Sequence, residues 1–265
     1  MNFQNGELVE PSMLDARGWS KLLEAYKSPS NRRALFELGV TVLPFIALWV
    51  LMYWSLQVSY LLTLLLAVPA AGFLVRLFIV QHDCGHGSFT RHGLLNRWLG
   101  RVLGVFTFTP YDYWQRTHAM HHASSGNLEH RGWGDINTLT VDEYLARDFW
   151  GRLKYRLYRN PLILFVIGPA YVFLFEQRLP FGMMRQGWKP WLSTMLTNLG
   201  ILSVFGFIAF FIGWAEYFLI QLPVILMAAS MGVWLFFVQH QFEDTVWEEP
   251  PEWDRREAAM HGSSH

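Results

Sequence analysis

The sequence predicts an all-α membrane protein with four transmembrane helices arranged as two hairpins, together with interfacial helices and a cytosolic metal-binding cap. Three observations predict it. Of the 265 residues, 52% are hydrophobic and only 16% are charged, against roughly 25% charged in soluble domains. Four long apolar runs come in two pairs, and three residues separate the members of each pair. Between the pairs lies a polar middle, and six of the ten histidines fall between His82 and His122.

Residues 1–33 are polar, contain Pro11, Gly18 and Pro29, and mix five Lys/Arg with four acidic residues. They read as a cytosolic lead-in with a short amphipathic helix. A signal peptide would put its apolar core near the start, whereas here the first apolar run covers 34–56. Pro44 within it is expected to kink a membrane helix without ending it. The second run, 60–80, is interrupted only by Arg76 and makes about 31 Å of helix, enough to cross the hydrocarbon. Arg76 is expected to snorkel to lipid headgroups. Gln57-Val58-Ser59 is too short for anything but an antiparallel hairpin.

The second span runs directly into His82, and Gly85 and Gly87 are expected to end its helix. Within the polar middle, Asn127 to Asn137 reads as a loop. Pro161 to Phe175 is uncharged but only 15 residues long, with Gly168-Pro169 at its centre, so it is read as interfacial or re-entrant. The runs 191–213 and 217–238 carry no charge and form the second hairpin across Trp214-Ala215-Glu216. The whole chain, 1–265, reads as one membrane domain. Trp49, Trp54, Trp191 and Trp214 suit interfacial anchoring or packing between spans.

Orientation follows from the Lys/Arg distribution. Five precede the first span, thirteen lie between Val80 and Trp191, two follow the last span, and neither hairpin turn has any. Both termini and the polar middle are therefore expected in the cytosol, with His82–His86, His118–His122 and His240 on one side.

The histidine spacing asks for a metal. On a helix, His82 and His86 lie about 40° apart on one face, and His118, His121 and His122 fan across about 100°, wide enough to serve two neighbouring ions. A lone histidine is more often a surface or core residue, but five in two helix-compatible groups favour ligands. His240, level with both groups at the end of the fourth span, is the sixth candidate. Asp83 lies about 60° around the helix from His86 and is placed to accept its ring N–H, which fixes the tautomer of a ligand. Cys84 points the other way, as a packing residue, and as the single cysteine it leaves neither a disulfide nor a cysteine-based cluster. His92 and His130 are read as solvent-facing, and Glu243 and Asp244 as solvated charges.

Absences narrow the chemistry. There is no His-Glu-x-x-His protease motif and no Glu-x-x-His pair of a ferritin-like di-iron site. A metal transporter would hold ligands near the bilayer midplane, where the spans have none. With zero formal net charge and no basic run interleaved with aromatics, nucleic acid is excluded as a partner. What remains is a histidine-rich metal site at the cytosolic membrane surface, over a bundle in which an apolar substrate can lie.

At this point the chain resembles the membrane fatty-acid desaturases of the acyl-lipid omega-6 and omega-3 type, in a bacterial-like form. The residues that carry the resemblance are His82-Asp83-Cys84-Gly85-His86-Gly87-Ser88-Phe89 and His118-Ala119-Met120-His121-His122-Ala123 as two histidine boxes. Gly126-Asn127-Leu128, Gly134-Asp135, Thr138-Leu139-Thr140-Val141 and Gln239-His240-Gln241-Phe242-Glu243-Asp244 add to it. The resemblance implies two iron ions that activate O2, removal of two hydrogens from an acyl chain to leave a double bond, a fatty acyl lipid or acyl thioester as substrate, and a ferredoxin or cytochrome b5-like electron donor. It also implies a multi-pass protein of the bacterial inner membrane. A third box, His-x-x-His-His, is expected after Asp244 and is not in the sequence; the chain is read as truncated before it, with His261 and His265 incidental. The alternatives are a hydroxylase or ketolase of a fatty acid, alkane or carotenoid, and an inactive metal-binding membrane fragment.

Overall fold

The computed structural model describes residues 3–4, 7–8, 28–132 and 134–263. The expected amphipathic helix of the N-terminal lead-in and His265 lie outside them. Apart from a two-residue antiparallel pairing of Phe3–Gln4 with Glu7–Leu8, the described chain is helical with connecting loops. It is an all-α membrane protein, and four of its helices are long and apolar enough to cross a bilayer.

Helix α1 covers Asn31–Ser55 and continues through Pro44. Helix α2, Tyr60–Gly85, follows after a four-residue turn and packs antiparallel along it. At the turn, the buried hydroxyls of Ser55 and Thr63 bond to each other at 2.7 Å, so neither is left unpaired in lipid. At the other end Arg76 does not snorkel. Its Nε donates to Thr41 at 2.8 Å and its Nη2 to Glu37 at 2.5 Å. Glu37 offers a charged acceptor on the facing helix, and an intramembrane cation with such a partner is better satisfied inside the hairpin than by stretching outward.

The second hairpin is α8, Trp188–Ile212, and α9, Trp214–His240, which follow five shorter α-helices. They are joined through Gly213, whose φ of 102° is one that residues with a side chain adopt only under strain. Lipid supplies no hydrophobic drive between helices, so close packing must hold them. Small residues provide it: Ala67, Ala70 and Ala71 of α2 are fully buried in one cluster with Ile220, Val224 and Ala228 of α9. Trp49 of α1 adds a hydrogen bond to Gln221 of α9 at 2.8 Å, which is a packing role rather than an interfacial one.

The polar middle supplies α3, Gly93–Phe106, and α4, Tyr111–Ser124. The Tyr111 ring occupies the space over Gly100, where a Cβ would come within 2.2 Å. Arg101 grips Asp112 with two bonds of 2.9 and 3.0 Å. Between the helices Phe108 takes a φ of 58°, uncommon for a bulky residue, and the Arg178 guanidinium holds its carbonyl. Beyond α4 come α5, Val141–Leu145, and α6, Phe149–Tyr158. A π-turn at Ile163–Ile167 and α7, Gly168–Leu174, follow at a bend of 59° from α6 and pack along α9. The short α10, Arg255–His261, closes the described chain against α4.

Candidate metal centre

The site forms where α4 lies across the end of α2. Gly85 makes the approach possible, because a Cβ there would sit 2.9 Å from the Trp114 ring. Gln115 Nε2 then donates to the Gly85 carbonyl at 2.6 Å, satisfying one of the orphan acceptors at the helix end. With the two helices pinned, His82 and His86 of the first box face His118 and His122 of the second.

Their Nε2 atoms converge. His86 Nε2 is 3.2 Å from that of His82 and 3.1 Å from that of His118, and His118 Nε2 is 3.0 Å from that of His122. One ligand nitrogen from each of the four histidines lies within 4.8 Å of the others. Around a single ion with metal–nitrogen bonds of about 2.1 Å, adjacent ligands would stand roughly 3.0 to 3.4 Å apart. The spacing fits. Burial, and after it the neighbouring His82 and His122, press the His118 pKa down to about 2; burial, and after it His121, press that of His122 down to about 4. Both rings are therefore neutral near pH 7, the form that binds metal.

His121 stands apart from that group of four. It is buried, its Nδ1 lies 2.5 Å from Asp135 Oδ1, and its Nε2 has no hydrogen-bond partner among the described residues. The His240 ring is 5.1 Å from it, with Nδ1 donating to the Gly262 carbonyl at 3.0 Å. In both rings a bond at Nδ1 leaves Nε2 as the ligand atom. An unpaired buried Nε2 is costly, and a cation beside it would relieve that cost. The His121 ring centre is 5.9 Å from that of His118 and 5.5 Å from that of His122, so this pair adjoins the four-histidine group.

Several placements differ from the sequence-based expectation. Asp83 lies 3.3 Å from His82 Nδ1 rather than on His86, because His86 falls past the last helical turn and its Nε2 swings to His82 and His118. The short carboxylate contact to a ring comes instead from Asp135, in the loop after α4. Periodicity could not find it, although the Gly134-Asp135 pair figured in the resemblance. Trp114, one turn before His118, stacks on that ring at 4.7 Å and 14° and was not singled out from the sequence. Cys84 is buried in the core, His92 and His130 are exposed, and the exposed His261 sits 3.5 Å from Glu257.

Residues 58–265 match the family model for fatty acid desaturases. The chain belongs to the fatty acid desaturase family. It is similar to a fatty acid desaturase of Bacillus subtilis, 47% identical over 245 residues that make up 92% of this chain and 69% of that protein. The sn-1 acyl-lipid omega-3 desaturase (ferredoxin) of Synechocystis is 30% identical over 189 residues, 67% of this chain and 50% of that protein. An acyl-lipid omega-3 desaturase (cytochrome b5) of Arabidopsis thaliana is 43% identical over 53 residues, 20% of this chain and 14% of that protein. Membership, with the four long apolar helices, makes this desaturase-family chain an integral membrane protein, and its four-histidine cluster a candidate metal-binding site.

Proposed function

We propose that the protein is an O2-dependent di-iron desaturase that introduces a double bond into a fatty acyl chain carried on lipid. The observation that carries this is the convergence of four imidazole nitrogens beside a fifth, buried histidine, His121, whose Nε2 has no hydrogen-bond partner among the described residues. His82, His86, His118 and His122 would hold one ion, and His121 and His240 would contribute to a second. When bound, the iron supplies the O2-activating redox chemistry. The stoichiometry balances when the two hydrogens leaving adjacent methylenes, with two electrons delivered one at a time by the donor protein and two protons from water, reduce O2 to two waters.

The chain's own residues hold and shield the site. Asp135 keeps the proton of His121 on Nδ1, and the Gly262 carbonyl does the same for His240. Trp114, stacked on His118 and in edge contact with Phe78 at 5.4 Å, closes the helix-core side of the cluster with apolar rings. The Lys/Arg distribution supports a cytosolic site in a bacterial inner membrane, within reach of a soluble donor. Ferredoxin and cytochrome b5 appear in the names of relatives and are the proposed donor classes. The relatives are named as desaturases, which favours loss of a second hydrogen over hydroxylation or ketone formation. The chain spans 69% of the Bacillus relative and half of the Synechocystis one. Expression in a bacterial host lacking polyunsaturated acyl chains, with fatty acids read by gas chromatography, tests it. New unsaturation that disappears with His118→Ala and survives His92→Ala is expected, and an unchanged acyl profile would refute the reading.

A further inference from the structure

Helix α6 carries a surface that the metal site does not use. At about 100° per residue, Phe149, Leu153 and Leu157 fall at 0°, ~40° and ~80° on its circumference, and Trp150 at ~100°. Phe149 and Trp150 are 70% and 71% exposed. On one flank of this apolar arc stand Arg152, Arg156 and Arg159, and on the other Lys154. None of these four cations has a carboxylate partner among the described residues. Arg152 and Arg156 donate hydrogen bonds internally through their Nε atoms alone, to the Arg147 carbonyl at 2.8 Å and the Tyr144 hydroxyl at 2.6 Å, and the Arg156 guanidinium also lies over the Tyr144 ring. Their terminal nitrogens are left free beside a shallow cleft of about 220 Å³ lined by Phe149, Arg152, Leu153 and Arg156.

The position of the helix names the occupant. Arg159, at its end, bonds Gln241 at 3.1 Å and lies over the Phe237 ring, so α6 meets the bundle at the level where α9 leaves the bilayer. Its apolar arc continues into Leu162, Val166 and Ile167, all at least half exposed, on the uncharged segment that packs along α9. An acidic soluble protein would satisfy the cations but not this apolar continuation into the membrane. We infer that α6 docks on the membrane surface by binding an anionic phospholipid, with its phosphate between Arg152 and Arg156 and the start of its acyl chains against Phe149 and Leu153. This inference does not rest on the desaturase reading.

The test uses the purified chain in neutral detergent, with its melting temperature followed against phosphatidylglycerol, phosphatidylcholine and inorganic phosphate. Phosphatidylglycerol is expected to protect, the other two are not, and Arg152→Gln and Arg156→Gln should each weaken its apparent affinity roughly fivefold. Arg255→Gln, an exposed charge elsewhere, should bind as wild type. Equal protection by phosphatidylcholine or phosphate, or undiminished affinity in the Arg152→Gln/Arg156→Gln double variant, overturns the proposal. A second reading covers variants that fold poorly: the emission lost between wild type and Trp150→Phe should be quenched by brominated phosphatidylglycerol more than by brominated phosphatidylcholine. A Trp150 signal unquenched by either lipid would point to a protein partner and likewise overturn it.

Discussion

Asp135 holds His121 by a 2.5 Å contact between Oδ1 and Nδ1, and both side chains are buried. A carboxylate at Nδ1 fixes the ring's orientation and makes Nε2 a more basic ligand. Asp135→Ala is therefore expected to weaken metal affinity roughly 10- to 100-fold while the protein stays folded. Asp135→Asn, which keeps an acceptor and loses the charge, should fall between it and wild type. Metal titration against a chelator of known affinity measures both, and wild-type affinity in Asp135→Ala would remove the residue from the site.

The docking of α4 onto α2 makes a second prediction. Gly85→Ala puts a methyl 2.9 Å from the Trp114 ring, and Gly100→Ala puts one 2.2 Å from the Tyr111 ring. Overpacking of this kind typically costs about 1–3 kcal/mol. Tyr111 is fully buried and Trp114 only partly so, which leaves the tyrosine less room to give. Thermal unfolding in detergent should rank Gly100→Ala as the more destabilised, and Gly85→Ala should be partly rescued by Trp114→Phe. The reverse order would show that these contacts do not set the helix approach.

Topology gives a third. Cysteines at Ser59, in the first hairpin turn, and at Ala215, in the first turn of α9, are both at exposed positions and should react with an impermeant thiol reagent added to intact cells. One at Ser124, at the end of α4, should not. Labelling of Ser124→Cys from outside would reverse the proposed orientation.

The apolar helices were legible from sequence because a bilayer demands uninterrupted apolar length, and no packing detail alters that signal. The runs at 34–56 and 60–80 appear as helices Asn31–Ser55 and Tyr60–Gly85, with the second extended by the turn that carries His82. The histidine groups were legible for a related reason, since offsets of three and four place side chains on one helix face. Contacts between elements were not. Arg76 pairs with Glu37 across the α1–α2 hairpin, 39 residues away, and Asp135 reaches His121 from a loop 14 residues on. Neither distance leaves a periodic trace. Spacing let His118, His121 and His122 serve two neighbouring ions without saying which would part from the others, and the fold turns His121 toward Asp135 and His240 and leaves the other two with the first box.

The central claim is that the two boxes and His240 form a di-iron site, and iron content tests it most directly. Protein purified without oxygen stress should contain two iron ions per chain by elemental analysis. His86→Ala and His121→Ala, which remove imidazoles from the two parts of the site, should each lower that content, while His92→Ala and His130→Ala should not. Stoichiometric zinc with no iron in the wild type, or undiminished iron in both His86→Ala and His121→Ala, would contradict the account.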